Sequence, residues 1–508
     1  MGTRNFSALL AAAIVVVGLG AASLAQGHPT SGSAMEGSVS GGVSLFASGV
    51  LDGTVEGESV EAAAARNHSA NFEKLERDAI RYGRNGRGQA EGSDLAFRER
   101  LMVAGTYEGT AFFRIRKSRD SLEQISFHDC AGSQGDVTLR GDYVFVSVDS
   151  PGSNNEKSGT CNNTGTTGED LSESPSSRGK EGIRILDISN VNRPRQVGFV
   201  ETECGSHTQT LIPGDGAAYL YVDSYPLANA PVTDECSEVT HPEGEFSIVR
   251  IPDSNPANAR VVEKPDVFDA PDAVGCHDTG VLIRKDKRDL ALCAGLGRWA
   301  LLDIENPTRP ETLSVVNNVP IELDHSAQFT WDGKVAVIGD EHAGAAGGGG
   351  CSEDDPDDSD STVGAMWFYD ISNPRNPVEK DHHALPRVPQ PDTPEEANRF
   401  RCTTHNYNIL PTKDPDRYLA AVPYYMGGLA VVDFSNLNNV KEIGWIQPQV
   451  NGKLPDMWSG YWHNGRIYTN EHASQLGVSI FKHSGTTGRT VKFFRGTVNP
   501  QTQIPRFR

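Results

Sequence analysis

A chain of 508 residues has room for two or three ordinary domains or for one large repeat fold. Its formal net charge of −21 repels nucleic acid and anionic lipid, suits a soluble extracellular protein and favours cationic ligands. Beyond the N-terminal leader, no segment is apolar and long enough to span a bilayer.

In chain order, Arg4 sits in a short polar start, residues 9–22 form an apolar run of Ala, Val and Leu, and Ser23, Leu24 and Ala25 make a small-x-small pattern. This predicts a secretory signal peptide over residues 1–25, too short in its apolar run for an anchor. Residues 26–92 read as a linker. The part at 26–58 is rich in Gly, Ser and Ala and cannot bury a core. Residues 60–81 look helical in composition, although 71–76 could equally be a strand that closes the fold.

Residues 93–497 repeat a unit. Its clearest part is an apolar strand, an Asp, then a turn: GIRILDISN at 182–190, WALLDIENP at 299–307, MWFYDISNP at 366–374 and LAVVDFSN at 429–436. Weaker copies are AFFR at 111–114, FSIVR at 246–250 and VSIFK at 478–482, which makes seven. A hairpin pattern precedes each copy, plainest in FTWDGKVAVI at 329–338 and WHNGRIY at 462–468, and a short strand such as RQVGFV at 195–200 follows. Four short strands per unit predict an all-β fold, a single seven-bladed β-propeller with four-stranded antiparallel blades, and a C-terminal tail over 498–508. The last outer strand is left open between residues 491–495 and the segment near Phe72.

The runs SDLAF at 93–97, CGSH at 204–207, CHD at 276–278, HSAQFTWDGK at 325–334 and CTTHN at 402–406 give the chain a resemblance to the LVIVD repeat family of secreted bacterial propeller proteins. The resemblance covers roughly residues 94–503. It implies the fold and a secreted or cell-envelope address, and no settled activity.

Aligning the units on their innermost strands puts Asp94, Asp136, His207, His277, His325, His405 and Asp456 at equivalent positions, converging at one mouth of the central channel. His207, His277, His325 and His405 are the candidate metal ligands, because neutral imidazoles suit zinc, copper, nickel and iron. Asp94, Asp136, Glu341, His342, Glu471 and His472 are candidate further ligands or their hydrogen-bond partners. Asp149 and Asp223 end second strands on the same face. The alternative role for the whole ring is to hydrogen-bond channel waters and strand ends. Trp458 and Tyr461 lie near the channel, where they would stack on a ligand or pack in the core. His382, His383 and His483 fall in outer strands or tails and are expected to be solvated.

Eight cysteines in a secreted chain predict disulfides, and the repeat pairs them as Cys130–Cys161, Cys204–Cys236, Cys276–Cys293 and Cys351–Cys402, bracing loops above the His ring. The acidic run at 351–360 could take calcium, although it lacks calcium-loop spacing and reads better as a solvated loop. Asp187, Asp303, Asp370 and Asp433 read as turn caps. No nucleophile elbow, His-Glu-x-x-His or phosphate loop is present. Two functions follow from these residues. One is a secreted scaffold that recognises an extracellular protein or glycan, with a divalent-metal site at the channel mouth. The other is a secreted metalloenzyme, oxidoreductase or hydrolase, that uses the His/Asp ring.

Overall fold

The structure is a computed structural model that describes residues 67–507 apart from 84–85, 133, 150–180, 203, 225–244, 269–274, 286, 296, 318–322, 342–363, 387–401, 450–453 and 473–476. The leader and most of the linker lie outside the described residues, as do His342, Cys161, Cys236, Cys351 and the acidic run at 351–360.

The strands form successive antiparallel units. The first unit is Gly92–Arg98, Leu101–Thr106, Gly109–Ile115 and Leu122–Asp129. The second is Val137–Arg140, Tyr143–Val148, Gly182–Asp187 and Arg195–Glu201. The third is Thr208–Pro213, Ala217–Ser224, Glu245–Pro252 and Arg260–Glu263. The fourth is Asp278–Leu282, Leu290–Ala294, Trp299–Asp303 and Glu311–Val316. The fifth is Asp324–Phe329, Val335–Asp340, Met366–Asp370 and Val378–His383. The sixth is Asn406–Ile409, Leu419–Pro423, Leu429–Asp433 and Lys441–Ile446. Last come Met457–His463, Arg466–Glu471 and Val478–His483, completed on the outside by Phe72–Asp78. First strands lie side by side in this order, and Met457–His463 returns to Gly92–Arg98. The architecture is therefore all-β and propeller-like. The described residues contain no α-helix.

The third strands show why sheets must stack. Along Trp299–Asp303, Trp299 and Leu301 pack in an apolar cluster with Phe329, Ile338 and Trp367 of the fifth unit. The alternate residues Ala300 and Leu302 pack with Ile212, Tyr221 and Ile248 of the third. Period-two alternation thus buries both faces of one strand, each against a different neighbour. The inner strands approach closely: a Cβ on Gly280 would lie 2.0 Å from the Ala327 carbonyl oxygen, so a side chain there would force neighbouring strands apart.

The repeated Asp after each third strand caps a turn. The backbone N–H of Ser189, Glu305, Ser372 and Ser435 donates to Oδ1 of Asp187, Asp303, Asp370 and Asp433 at 2.9, 3.0, 2.9 and 3.0 Å. Three residues on, Asn190, Asn306, Asn373 and Asn436 do the same for the next turn. These paired Asx turns explain the Asp-x-x-Asn signature without chemistry.

Phe72–Asp78 pairs antiparallel with Val478–His483, from Phe72↔His483 to Asp78↔Val478. The segment near Phe72 is therefore the outer strand, whereas Val491 and Phe494 make only isolated bridges to Thr412 and Phe507. The helical composition of 60–81 gives way, in its described part, to this strand, because Phe72 has an apolar face to cover beside Phe481. His483, expected in solvent, is buried under the same strand against Phe72.

The tail also belongs to the fold. Thr497–Val498 pairs with Arg98 and Phe97 of the first inner strand, and Thr502–Gln503 runs parallel to Val281–Leu282 of the fourth. Between them, Asn499 bonds both backbone groups of Leu139 at 2.8 and 3.0 Å, and Thr502 donates to the Leu211 carbonyl at 2.7 Å. Gln503 bonds both backbone groups of Phe329 at 2.9 and 2.8 Å. These residues use their own side chains to satisfy inner-strand groups that face the channel and have no strand partner there.

Two outcomes follow. Gln503→Ala leaves the buried Phe329 N–H and C=O unpaired and should lower unfolding free energy by about 1–3 kcal/mol in denaturant titrations. Burial holds the His483 imidazole down at about 4. The unfolded chain binds that proton near 6.5 and the folded chain only near 4, so this contribution is complete above pH 6.5 and is lost as pH falls towards 4. The difference in stability between the native chain and His483→Phe should therefore shrink across that window, by up to roughly 3 kcal/mol.

Candidate metal centre at the channel mouth

The site sits where the inner strands begin. His207, His277 and His405 each precede an inner strand, and their backbone N–H groups donate to the Asp223, Ala294 and Pro423 carbonyls of the adjoining second strands. His325 lies inside its strand at a register shift between Asp324 and Ser326. A bulge of this kind inserts one residue and re-aims its side chain, here into the channel. The same device recurs in the last unit, between Met457 and Ser459, and there it turns Trp458 inward. Parallel pairing of Asn406 with Ser459 confirms the level, since it sets Trp458 beside His405.

The rings form a continuous arc. Centroids are 4.6 Å apart from His207 to His277, 4.2 Å from His277 to His325, 4.2 Å from His325 to His405 and 4.3 Å from His405 to Trp458. Trp458, not Asp456, continues the arc beyond His405. Asp456 is instead engaged at the side: its N–H donates to Glu471 Oε2 at 2.7 Å, and its carboxylate lies 3.3 Å from His472 Nδ1. Trp458 occupies the same bulged position in its strand as His325 does in the fifth unit, two residues beyond Asp456.

Donor atoms of His277, His325 and Glu341 all lie within 4.8 Å of one another, and all three residues are buried. Glu341 follows the second strand of the fifth unit. Its Oε2 is 3.4 Å from His325 Nε2 and its Oε1 is 3.6 Å from His405 Nε2. The Tyr425 hydroxyl donates to Oε1 at 2.5 Å and fixes the carboxylate. His405 Nδ1 is 2.7 Å from the Trp458 carbonyl oxygen. A carbonyl can only accept, so Nδ1 carries the proton and Nε2 presents its lone pair on the Glu341 side. His207 Nδ1 is 2.7 Å from Asp149 Oδ2 across the second and third units, which orients that ring in the same way. His207 stands beside the donor group, and Glu471 and His472 lie behind Trp458.

A small cavity with room for about one water molecule lies beside the arc and is lined by His207, His277, His325, His405, Trp458, Asp94 and Asp136 among others. Among the described residues, no lysine or arginine lines it. Burial, reinforced by the neighbouring His207 and His405, holds the His277 imidazole well below its ordinary range, so it stays neutral. Burial and the carboxylates of Asp223, Asp94 and Glu341 push Asp278 well up. Imidazoles beside carboxylates, with no cationic side chain among the described lining residues, make the donor set that a divalent transition metal takes.

Cysteine sulfur is not part of this set. Cys276, next to His277, is bonded to Cys293 of the second strand, which ties the entry of the fourth unit to its own sheet. Cys130, Cys204 and Cys402 are also disulfide-bonded, and their expected partners lie outside the described residues.

No family model and no curated protein matches the chain. Among solved structures, a protein from Lactobacillus plantarum is 12% identical with a TM-score of 0.48, covering 81% of this chain and 98% of its own. The periplasmic gluconolactonase of Pseudomonas aeruginosa is 14% identical with a TM-score of 0.47, covering 82% and 99%. A hypothetical selenium-binding protein from Sulfolobus tokodaii is 12% identical with a TM-score of 0.42, covering 68% and 74%. The site is therefore read from its own geometry.

Asp149→Ala removes the carboxylate bonded to the buried His207 Nδ1 and should cost about 1–3 kcal/mol in a denaturant titration, with Asp149→Asn costing less.

Proposed function

We propose that this chain is a secreted, LVIVD-type, seven-bladed β-propeller that binds a divalent transition metal at one mouth of its channel through His277, His325 and Glu341, with His405 as the adjoining imidazole. One observation carries the reading: two imidazoles and a carboxylate converge within 4.8 Å, buried, with the carboxylate fixed by Tyr425. Zinc, copper, nickel and iron fit nitrogen and oxygen donors of this kind, whereas calcium takes oxygen alone. Bound there, such an ion would supply Lewis-acid or redox chemistry. The disulfides accord with an oxidising compartment, and among the described residues no helix is long and apolar enough to cross a membrane.

A metalloenzyme, hydrolase or oxidoreductase, is the second reading, and the cavity favours it. A purely structural ion is enclosed by its ligands, whereas this donor set borders a space of about one water molecule lined by further polar side chains. A partner, extracellular protein or glycan, would meet the protein at this face.

Elemental analysis of the mature protein, exported to an oxidising compartment and free of affinity histidines, tests the proposal. Near-stoichiometric zinc, copper, nickel or iron is expected. His325→Ala and Glu341→Gln should lose it while the fold persists by circular dichroism, and His207→Ala should retain it. Protein that stays metal-free after incubation with each ion overturns the reading.

A further inference from the structure

On the face opposite the channel mouth, a groove of about 550 Å³ opens between the fourth and fifth units. The first strands Asp278–Leu282 and Asp324–Phe329 begin at the mouth and end at this face, where the turns over 283–289, 330–334 and 371–377 build the groove. Its volume lies in the range of small-molecule sites. Leu290 and Ile371, both buried, and the half-buried Leu313 and Pro374 give it an apolar lining.

The charge of this groove is opposite to that of the chain. The protein carries −21 overall, yet five cationic side chains line the groove, Arg284, Lys287, Arg288, Lys334 and Arg375, against two carboxylates, Asp303 and Asp332. Three of the cations are balanced: Arg288 Nη1 is 2.6 Å from Asp303 Oδ2, Lys334 Nζ is 3.0 Å from Asp332 Oδ2 and Arg375 Nη2 is 3.2 Å from Glu311 Oε1. Among the described residues, Arg284 and Lys287 form no ion pair. Asp289 Oδ1 accepts from the Arg284 backbone N–H at 2.6 Å, and Arg284 Nε donates to the Arg288 carbonyl at 2.5 Å, which fixes the turn and the base of the guanidinium. The other end of that guanidinium reaches across to the fifth unit, where Nη1 would lie 3.4 Å from a Cβ on Gly333. Its two terminal nitrogens have no hydrogen-bond partner among the described residues. A solvated basic turn would need neither a cavity nor a half-buried guanidinium held in place by its own backbone.

We propose that this groove binds a small organic oxyanion: a carboxylate, sulfonate or phosphate group carried on an apolar body. The planar fork of Arg284 takes two oxygens of the anionic group, Lys287 adds a mobile point charge, and the apolar body lies on Leu290, Leu313 and Ile371. Arg288, Lys334 and Arg375 keep the surroundings free of net negative charge while remaining paired to their own carboxylates. The site lies on the far face from the imidazoles and does not rest on the metal reading.

The test uses the full chain, with anilinonaphthalene sulfonate as the probe and phenylnaphthylamine, the same aromatic body without the charge, as its comparison. Fluorescence titrations in low salt should show the sulfonate binding saturably at one site, about tenfold tighter than the neutral dye, and weakening as salt rises. Arg284→Met/Lys287→Met keeps the apolar stems and removes both charges, so it should weaken the sulfonate about tenfold and leave the neutral dye unchanged. Arg100→Met/Lys117→Met removes two exposed cations of the first unit and should change neither titration. Equal affinity for the two dyes overturns the site, as does a sulfonate affinity that survives the Arg284 and Lys287 substitutions or falls equally in the first-unit variant. Inorganic phosphate that displaces the dye as tightly as the dye itself binds overturns the organic class and makes a free oxyanion the ligand. If the double variant does not fold, Lys287→Met alone, on an exposed side chain, should weaken the sulfonate about threefold, and an unchanged affinity overturns the reading.

Discussion

A four-stranded sheet with apolar residues on both faces has to be covered twice, and this requirement organises the whole molecule. Trp299 and Leu301 look towards one neighbour, Ala300 and Leu302 towards the other, and the same division runs through Met366–Asp370 and Leu429–Asp433. A row of such sheets has two raw ends until it curves back on itself. Closing the row removes both ends and leaves a narrow axis along which every inner strand begins at nearly the same level. The candidate centre is a by-product of that closure: His277, His325 and His405 are distant in sequence and become neighbours because each lies at the beginning of an inner strand.

Closure also sets the local dielectric. The mouth gathers Asp94, Asp136, Asp278, Asp324, Asp340 and Glu341, and among the described residues no lysine or arginine lines the cavity. Carboxylates in this density cannot all stay ionised in an interior of low dielectric. Protons, hydroxyl and amide donors and neutral imidazoles relieve the repulsion in the chain alone, and a divalent cation would relieve it further. Electrostatics and coordination chemistry therefore favour the same occupant.

Much of this was legible in the sequence because the repeat carries its own ruler. The strand-Asp-turn signature marks third strands, and counting back from it reaches His207, His277, His325 and His405. The ruler misses Trp458, which stands two residues beyond Asp456 at a bulge like that of His325. Glu341 was visible as a strand-end carboxylate, but its place between His325 and His405 depends on Tyr425 of the next unit, which carries no motif. The tail was hardest to read. Asn499, Gln501, Thr502 and Gln503 look like a polar terminus, and polarity on the surface and polarity inside a hydrogen-bonded channel have the same composition. The outer strand was ambiguous for a related reason: Phe72–Asp78 mixes charged and apolar residues, as an exposed helix would.

The ring's outside is completed by 72–78 and its inside by 497–503, so both seams are made by contacts between distant parts of the chain. Gln501 reaches Asp94 across a sequence separation of 407 and Tyr461 reaches it across 367. Local hairpins can form early, while the wall of the cavity that Asp94 occupies waits for the slowest loop closures the chain has to make. Ligand binding at this mouth would consequently report topology as well as chemistry. A chain with every hairpin formed and the ring still open would have the secondary structure of the native protein and none of its site.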